Sequence, residues 1–194
     1  MHDEARIKAA LQALPLHRVN RYVSRFIFEA HRGTALEVIG ALRTGGRYNP
    51  IGMPALYTAF RRWTALSEST QFFEDEDPIS PMVMLSVRVD SEKIADLTHA
   101  ATMRALGTNR AELTALIVDK QLGTAATQIL GRVAYDTGRI EGLLIWSRVS
   151  SREKNLVLFP DRLGMRYDLH DPTGELPSTH PAIMEALREL MQID

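Results

Sequence analysis

The chain has 194 residues, of which 23 are basic and 24 acidic, with an apolar content of 45% and no cysteine. This composition excludes a chain disordered by composition, and a formal net charge of −1 excludes nucleic-acid or anionic-membrane binding driven by bulk charge. The lack of cysteine removes disulfides, thiolate zinc sites, iron–sulfur clusters and cysteine nucleophiles, a usage that suits a cytoplasmic protein.

The opening MHDEARIKAALQALP carries Asp3 and Glu4 where an export leader would be basic, and no apolar core follows. Ile7, Ala10, Leu11 and Leu14 recur at helical spacing, so an amphipathic helix ended by Pro15 is expected. Leu16–Val23 is rich in β-branched and aromatic residues and reads as a first strand. Helical spacing returns in Ala35–Leu42. Gly45–Pro54 holds three glycines and two prolines in ten residues, the mark of a shaped loop. A short strand is predicted over Ala55–Ala59, then a helix over Arg62–Phe73 with Trp63, Leu66 and Phe73 inward. Glu74–Asp77 reads as a solvated acidic loop, and Met82–Val89 as a half-buried strand.

Ser91 and Asp96 are read as the start of a capped, helix-rich middle, with Ala111–Val118 and Ala125–Ala134 its best segments. Gly142–Trp146 and Asn155–Phe159 are predicted strands joined by a polar loop, Met165–Leu169 a last strand, and Pro181–Ile193 a closing amphipathic helix. No apolar stretch approaches the roughly 20 residues needed to span a bilayer. A single domain of mixed α and β elements, α+β in class, is expected over residues 1–194.

Among the chemistry-bearing patterns, GxGxxG and GxxxxGK are absent, which speaks against a Rossmann dehydrogenase and a P-loop NTPase. The histidines at 2, 17, 31, 99, 170 and 180 show no HExxH or other two-histidine helical spacing, so no metal site is expected. The segment Gly45–Glu68 is richer. An arginine directly after two glycines, Arg47, offers a planar donor fork beside backbone that a ligand can approach closely. Tyr57 can stack on a flat heterocycle, and Glu68 brings a carboxylate. Each also has a plain structural role open to it: a loop ion pair, a core ring and a solvated helix residue.

The string GGRYNPIGMPALY, from Gly45 to Tyr57, followed by TALSE, from Thr64 to Glu68, resembles the signature of the RES-domain toxins. In that family a GGR[WY]N motif precedes a G-x-P-x-x-Y strand and a tAxxE helix, and both spacings hold here. Arg18, in HRV, is similar to a family arginine of the first strand. LLIWS followed by NLVLFP is similar to the family's serine motif. Ser147 takes the serine position by its spacing to Asn155, with Ser150 and Ser151 close by.

The resemblance implies an ADP-ribosyltransferase-like fold, with two small β-sheets around an NAD cleft and flanking helices. It implies cleavage of the nicotinamide–ribosyl bond of NAD by hydrolysis or phosphorolysis, or transfer of ADP-ribose to a protein. NAD is then the substrate, and no cofactor or metal is needed. The roles it implies are catalytic for Glu68, Arg47, Tyr57 and Ser147, and substrate-binding for Arg18, Tyr48, Asn49 and Asn155. Glu68 would stabilise the developing ribosyl cation or hold the 2′-hydroxyl, Arg47 and Arg18 the phosphates, and Tyr57 the nicotinamide ring. The resemblance also implies a cognate Xre-type helix-turn-helix antitoxin as partner. No direct nucleic-acid or membrane contact is expected, and a homodimer stays open, as does a catalytically silent interaction module with the same fold.

Overall fold

The structure, a computed structural model, describes residues 3–70, 82–117, 122–164 and 166–170. The expected helix α1 (Glu4–Ala13) begins at Asp3, whose side chain accepts a hydrogen bond from the Arg6 backbone N–H at 3.1 Å, satisfying one of the donors a helix start leaves open. Ile7 and Leu11, one turn apart, are the buried residues of this helix.

Two long strands carry the sheet. β1 (Leu16–Phe28) and β3 (Met82–Asp96) run antiparallel over almost their whole length, with a register shift between His17 and Val19. The short strands β2 (Leu56–Ala59), β5 (Lys154–Leu158) and β4 (Gly142–Trp146) form an antiparallel trio. The trio joins β3 through a parallel pairing of Ile94–Asp96 with Gly142–Leu144. It meets β1 at Ser24 and Ala59. β6 (Tyr167–His170) adds antiparallel to β3. Where two separate small sheets are expected, the described strands thus form one hydrogen-bonded network in which β1, β2, β5, β4 and β3 close a ring. The reason is strand length. At 13 and 15 residues, β1 and β3 are long enough to pair with each other and still reach the trio with their other edges.

That length also corrects the reading of Ser91 and Asp96 as helix starts, because both lie inside β3. α4 (Ala100–Leu106) starts only after His99 and ends at Gly107, whose φ of +69° suits the helix stop. α5 (Arg110–Thr114) is capped by Asn109, so helix occupies only the start of the expected 111–118 segment. α6 (Ala126–Asp136) fits its expectation and buries Leu130, Val133 and Ala134. These pack with Ile7, Leu11, Ile140, Leu143 and Phe159 into the main core between α1, α6 and the sheet.

The other elements that frame the cleft are α2 (Ile39–Thr44) and α3 (Arg62–Thr70). In α3, Ala65 and Leu66 are buried, but Trp63 is 47% exposed rather than inward. The buried side runs through Thr64, Ala65, Leu66 and Ser67, and Ala65 and Leu66 pack with Phe26, Ala59, Met82 and Met84 of the sheet. Phe73, the acidic loop Glu74–Asp77 and the expected helix Pro181–Ile193 lie outside the described residues. Among the described residues no helix is long and apolar enough to cross a membrane.

One glycine of α6 fixes the cleft's frame. A Cβ at Gly131 would stand 1.8 Å from the Tyr48 carbonyl oxygen, so the Gly45–Pro54 loop lies directly on the helix backbone. Gly131→Ala is expected to force the two apart and cost at least about 1–3 kcal/mol, as overpacking does. A urea unfolding midpoint equal to wild type would mean that this contact is not tight.

Candidate functional site

The loop after α2 is knitted from within. Gly45 takes φ +67° and its N–H donates to Ala41 O at 2.9 Å. The Gly46 N–H donates to Asn49 O at 2.8 Å. Asn49 is fully buried, and its Nδ2 donates to Ala41 O at 2.9 Å and Met53 O at 3.0 Å. From α6, Gln128 Nε2 donates to Gly46 O at 3.1 Å. The Tyr57 hydroxyl accepts from the Tyr48 N–H at 2.9 Å and donates to Asn49 Oδ1 at 2.8 Å. A Cβ at residue 46 would lie 2.5 Å from that hydroxyl, which is why the second glycine of the motif has no side chain. Burial pushes the hydroxyls of Tyr48 and Tyr57 well above the usual tyrosine range, so both act as neutral hydrogen-bonding groups.

Beside this loop is a cavity of about 360 Å³, within the size range of small-molecule sites. β1 supplies Ser24, Arg25, Phe26 and Ile27, the loop Gly45, Gly46 and Arg47, β2 Tyr57, α3 Glu68, and β5 Asn155. Glu68 is the hub. Its Oε1 accepts from Ser147 Oγ at 2.7 Å, from Asn155 Nδ2 at 2.7 Å and from the Arg148 N–H at 3.0 Å. Its Oε2 faces Arg47 Nη2 at 3.9 Å, with both side chains mostly buried. A carboxylate held by three donors from one strand–loop–strand unit cannot rotate freely, and an arginine stands beside it. Such an arrangement can meet positive charge at one point of a ligand and negative charge a few ångströms away.

The structure brings together Glu68, Arg47, Tyr57, Ser147 and Asn155. Of the three serines, Ser147 reaches Glu68, the Ser150 N–H donates to Ser147 Oγ at 3.2 Å, and the Ser151 carbonyl accepts from Arg110. Three other residues stand elsewhere. The Tyr48 ring is buried in the core, its hydroxyl donating to Leu113 O at 2.8 Å, and Asn49 spends its side chain on the loop itself. Both residues build the frame and neither side chain lines the cavity.

Arg18 is on the surface, paired with Asp90 at 3.2 Å, and is likewise no part of the cavity. Seven residues along a strand span about 23 Å and lead to the opposite face. Arg25, at that distance along β1, is the first-strand arginine that does line the cavity. It is half-buried, its Nε has no hydrogen-bond partner, and burial pushes its guanidinium down to about 10. Sequence reasoning passed it over because HRV offered an earlier match. The signal was its seat between Val23, Ser24 and Phe26 in the apolar end of the strand. Asn155 Oδ1 is a second buried polar atom in the cavity wall with no partner. Two residues of one cavity wall, one cationic and one an amide, thus each keep a buried polar atom without a partner.

A further polar group lies outside this cavity. His17, Asp96 and His99 place one potential ligand atom each within 4.8 Å of one another. The expectation of no metal-ligand grouping among the histidines rested on helical spacing, which cannot see ligands drawn from separate elements.

A family model described as RES domain matches residues 15–178. A chain from the crystal structure of the M. tuberculosis MbcT–MbcA toxin–antitoxin complex is similar with a TM-score of 0.73 at 19% identity, covering 94% of this chain and 97% of that one. At that identity the likeness is one of fold. No curated protein matches the sequence.

Tyr57→Phe keeps the ring but removes the hydroxyl that ties loop to strand, leaving the Tyr48 N–H without its acceptor. A loss of about 1–3 kcal/mol in unfolding free energy is expected. Unchanged stability would show that the hydroxyl does not hold the loop.

Proposed function

The chain belongs to the RES-domain family, and on that premise we propose that it binds NAD and cleaves the bond between nicotinamide and ribose, as the toxin of a toxin–antitoxin pair. The observation that carries this reading is the Glu68 carboxylate, fixed by Ser147, Arg148 and Asn155 beside Arg47 in the wall of the cavity. The cleft is taken to work like that of an ADP-ribosyltransferase, with NAD as substrate and no cofactor required.

Breaking the glycosidic bond sends its electron pair to the nicotinamide nitrogen and leaves positive charge on the ribose, an oxocarbenium-like state. Glu68 stabilises that charge as it develops and holds a ribose hydroxyl. Its carboxylate is already oriented, so little reorganisation is needed at the moment of reaction. Arg47 and Arg25 take the pyrophosphate. Arg25 is the better placed of the first-strand arginines, since its Nε is buried and unpaired whereas Arg18 already has Asp90. Tyr57 offers its ring face to nicotinamide while its hydroxyl stays in the loop network. Asn155 Oδ1 accepts a donor from the substrate, the carboxamide or a ribose hydroxyl. Water, phosphate or a protein side chain then adds at the ribosyl carbon and completes the reaction.

An antitoxin is the partner this reading requires. Leu116 lines the cavity and is 53% exposed, and Ile39 and Leu42, 47% and 37% exposed, lie on the helix whose Ala41 and Thr44 also line it. Apolar side chains of this kind beside a cleft suit a protein that covers it.

Incubation of the inhibitor-free chain with NAD, with and without phosphate, is expected to release nicotinamide. The co-product, ADP-ribose, its phosphate or a modified protein, identifies the acceptor. Glu68→Gln is expected to lower turnover by at least about 100-fold while NAD still binds. A solvated helix glutamate would tolerate glutamine with little change. No nicotinamide release under any condition, or wild-type turnover in the Gln variant, would overturn the proposal.

Arginine substitutions test the phosphate contacts separately. Arg47→Ala and Arg25→Ala should each weaken NAD binding by about tenfold or more, the loss of one charge-assisted contact. Arg61→Ala and Arg18→Ala should leave it unchanged, because these residues pair with Glu153 and Asp90 at the surface. Equal effects across all four, measured by NAD titration, would mean that the phosphates bind elsewhere.

A further inference from the structure

We propose that His17, Asp96 and His99 form a binding site for a divalent transition-metal ion, with Zn²⁺ the best match to the donors. The site is independent of the NAD reading. Its ligands come from three elements that the fold brings to one corner: the start of β1, the last residue of β3, and the residue that precedes α4. One ligand atom from each lies within 4.8 Å of the others, and His99 Nε2 is 3.2 Å from Asp96 Oδ2. The two imidazole rings are 6.1 Å apart between centroids and tilted by 33°. Ligand atoms at bonds of about 2.0–2.2 Å from one ion are up to about 4 Å apart. Small rotations of the two exposed histidines are enough to close the set.

The carboxylate is prepared for this. Asp96 is 7% exposed, and its Oδ1 accepts from the Thr98 N–H at 2.7 Å and from Thr98 Oγ1 at 2.5 Å. These bonds fix the group and turn Oδ2 toward His99, the part an outer-shell partner plays at a metal centre. Two imidazoles and one carboxylate suit Zn²⁺ better than Mg²⁺ or Ca²⁺, which prefer oxygen donors. With three protein ligands and both histidines exposed, a fourth position is open to water.

An ion pair between Asp96 and His99 accounts for those two residues alone. It gives no reason for a second imidazole, His17, to meet them across the register shift that follows it in β1. The charged group facing the site is Lys154, whose Nζ is 3.9 Å from Asp96 Oδ2 and 5.3 Å from the Trp146 ring centroid. Its charge sits beside the oxygen the ion would take, so Lys154 competes with the metal for Asp96.

The test is a Zn²⁺ titration of the full-length, untagged, metal-free chain against a chromophoric chelator, for wild type, His17→Ala, His99→Ala and Lys154→Ala. One ion per chain is expected. Each histidine variant should lose at least about tenfold in affinity, and Lys154→Ala should gain. Failure of wild type to compete with the chelator, or equal affinities in wild type and both histidine variants, would overturn the site. A variant that fails to fold does not protect the proposal. Adding Co²⁺ to wild type must shift the ring-proton resonances of both His17 and His99, and a spectrum in which either stays put overturns it equally.

Discussion

The constraint on which the rest depends is the pinning of Glu68 Oε1 by Ser147, Asn155 and the Arg148 backbone. A carboxylate on a helix end ordinarily samples several rotamers in water. Here one side chain crosses from α3 to the β4–β5 unit, and three donors close on a single oxygen. That joins the helix to the strand pair and leaves the other oxygen facing Arg47. Taking such a group out of water is costly unless its hydrogen bonds are made, and the site makes them with the chain's own donors. The trio β2–β5–β4 is the rigid base for this, since Tyr57 pairs with Val157 and Ala59 with Asn155 across the β2–β5 ladder.

The glycine-rich loop is the second half of the construction. Its residues that look most like ligand contacts, Tyr48 and Asn49, are spent on holding it. One anchors its hydroxyl on Leu113 and the other ties α2 to the loop's far end. The loop then rests on α6 through Gly131 and Gln128. Arg47, between the glycines and this buried pair, is thereby aimed into the cavity by residues whose own side chains do not line it. Elsewhere the same logic of paired burial holds the strand ends. Burial works against the charge of Glu141, but hydrogen bonds from Arg166 and Ser91 outweigh it and keep its carboxyl below the usual range.

Local signals were legible where they are strong. The proline after α1, the shaped loop at Gly45–Pro54 and the apolar strands at β2, β4 and β5 follow from residue type and spacing. The Arg47, Tyr57 and Glu68 set could be read because its members are close in sequence, and Ser147 and Asn155 because their motif is compact. What could not be read depends on distance in the chain. β3 continues past Val89 through polar Asp90–Lys93, because it pairs with β1, and no local pattern announces that. Trp63 faces out because Thr64, Ala65, Leu66 and Ser67 take the side of α3 that is buried. Arg18 and Arg25 are alike as letters, and only the course of β1 shows which enters the cleft. His17, Asp96 and His99 meet across a strand pairing, so no spacing rule would find them.

The most direct measurement is the structure of the Glu68→Gln variant with NAD bound. Nicotinamide is expected against the Tyr57 ring, the ribose carbon that bears it beside residue 68, and the pyrophosphate on Arg25 and Arg47. NAD bound with its adenine end beside residue 68, or held away from this cavity, would contradict it.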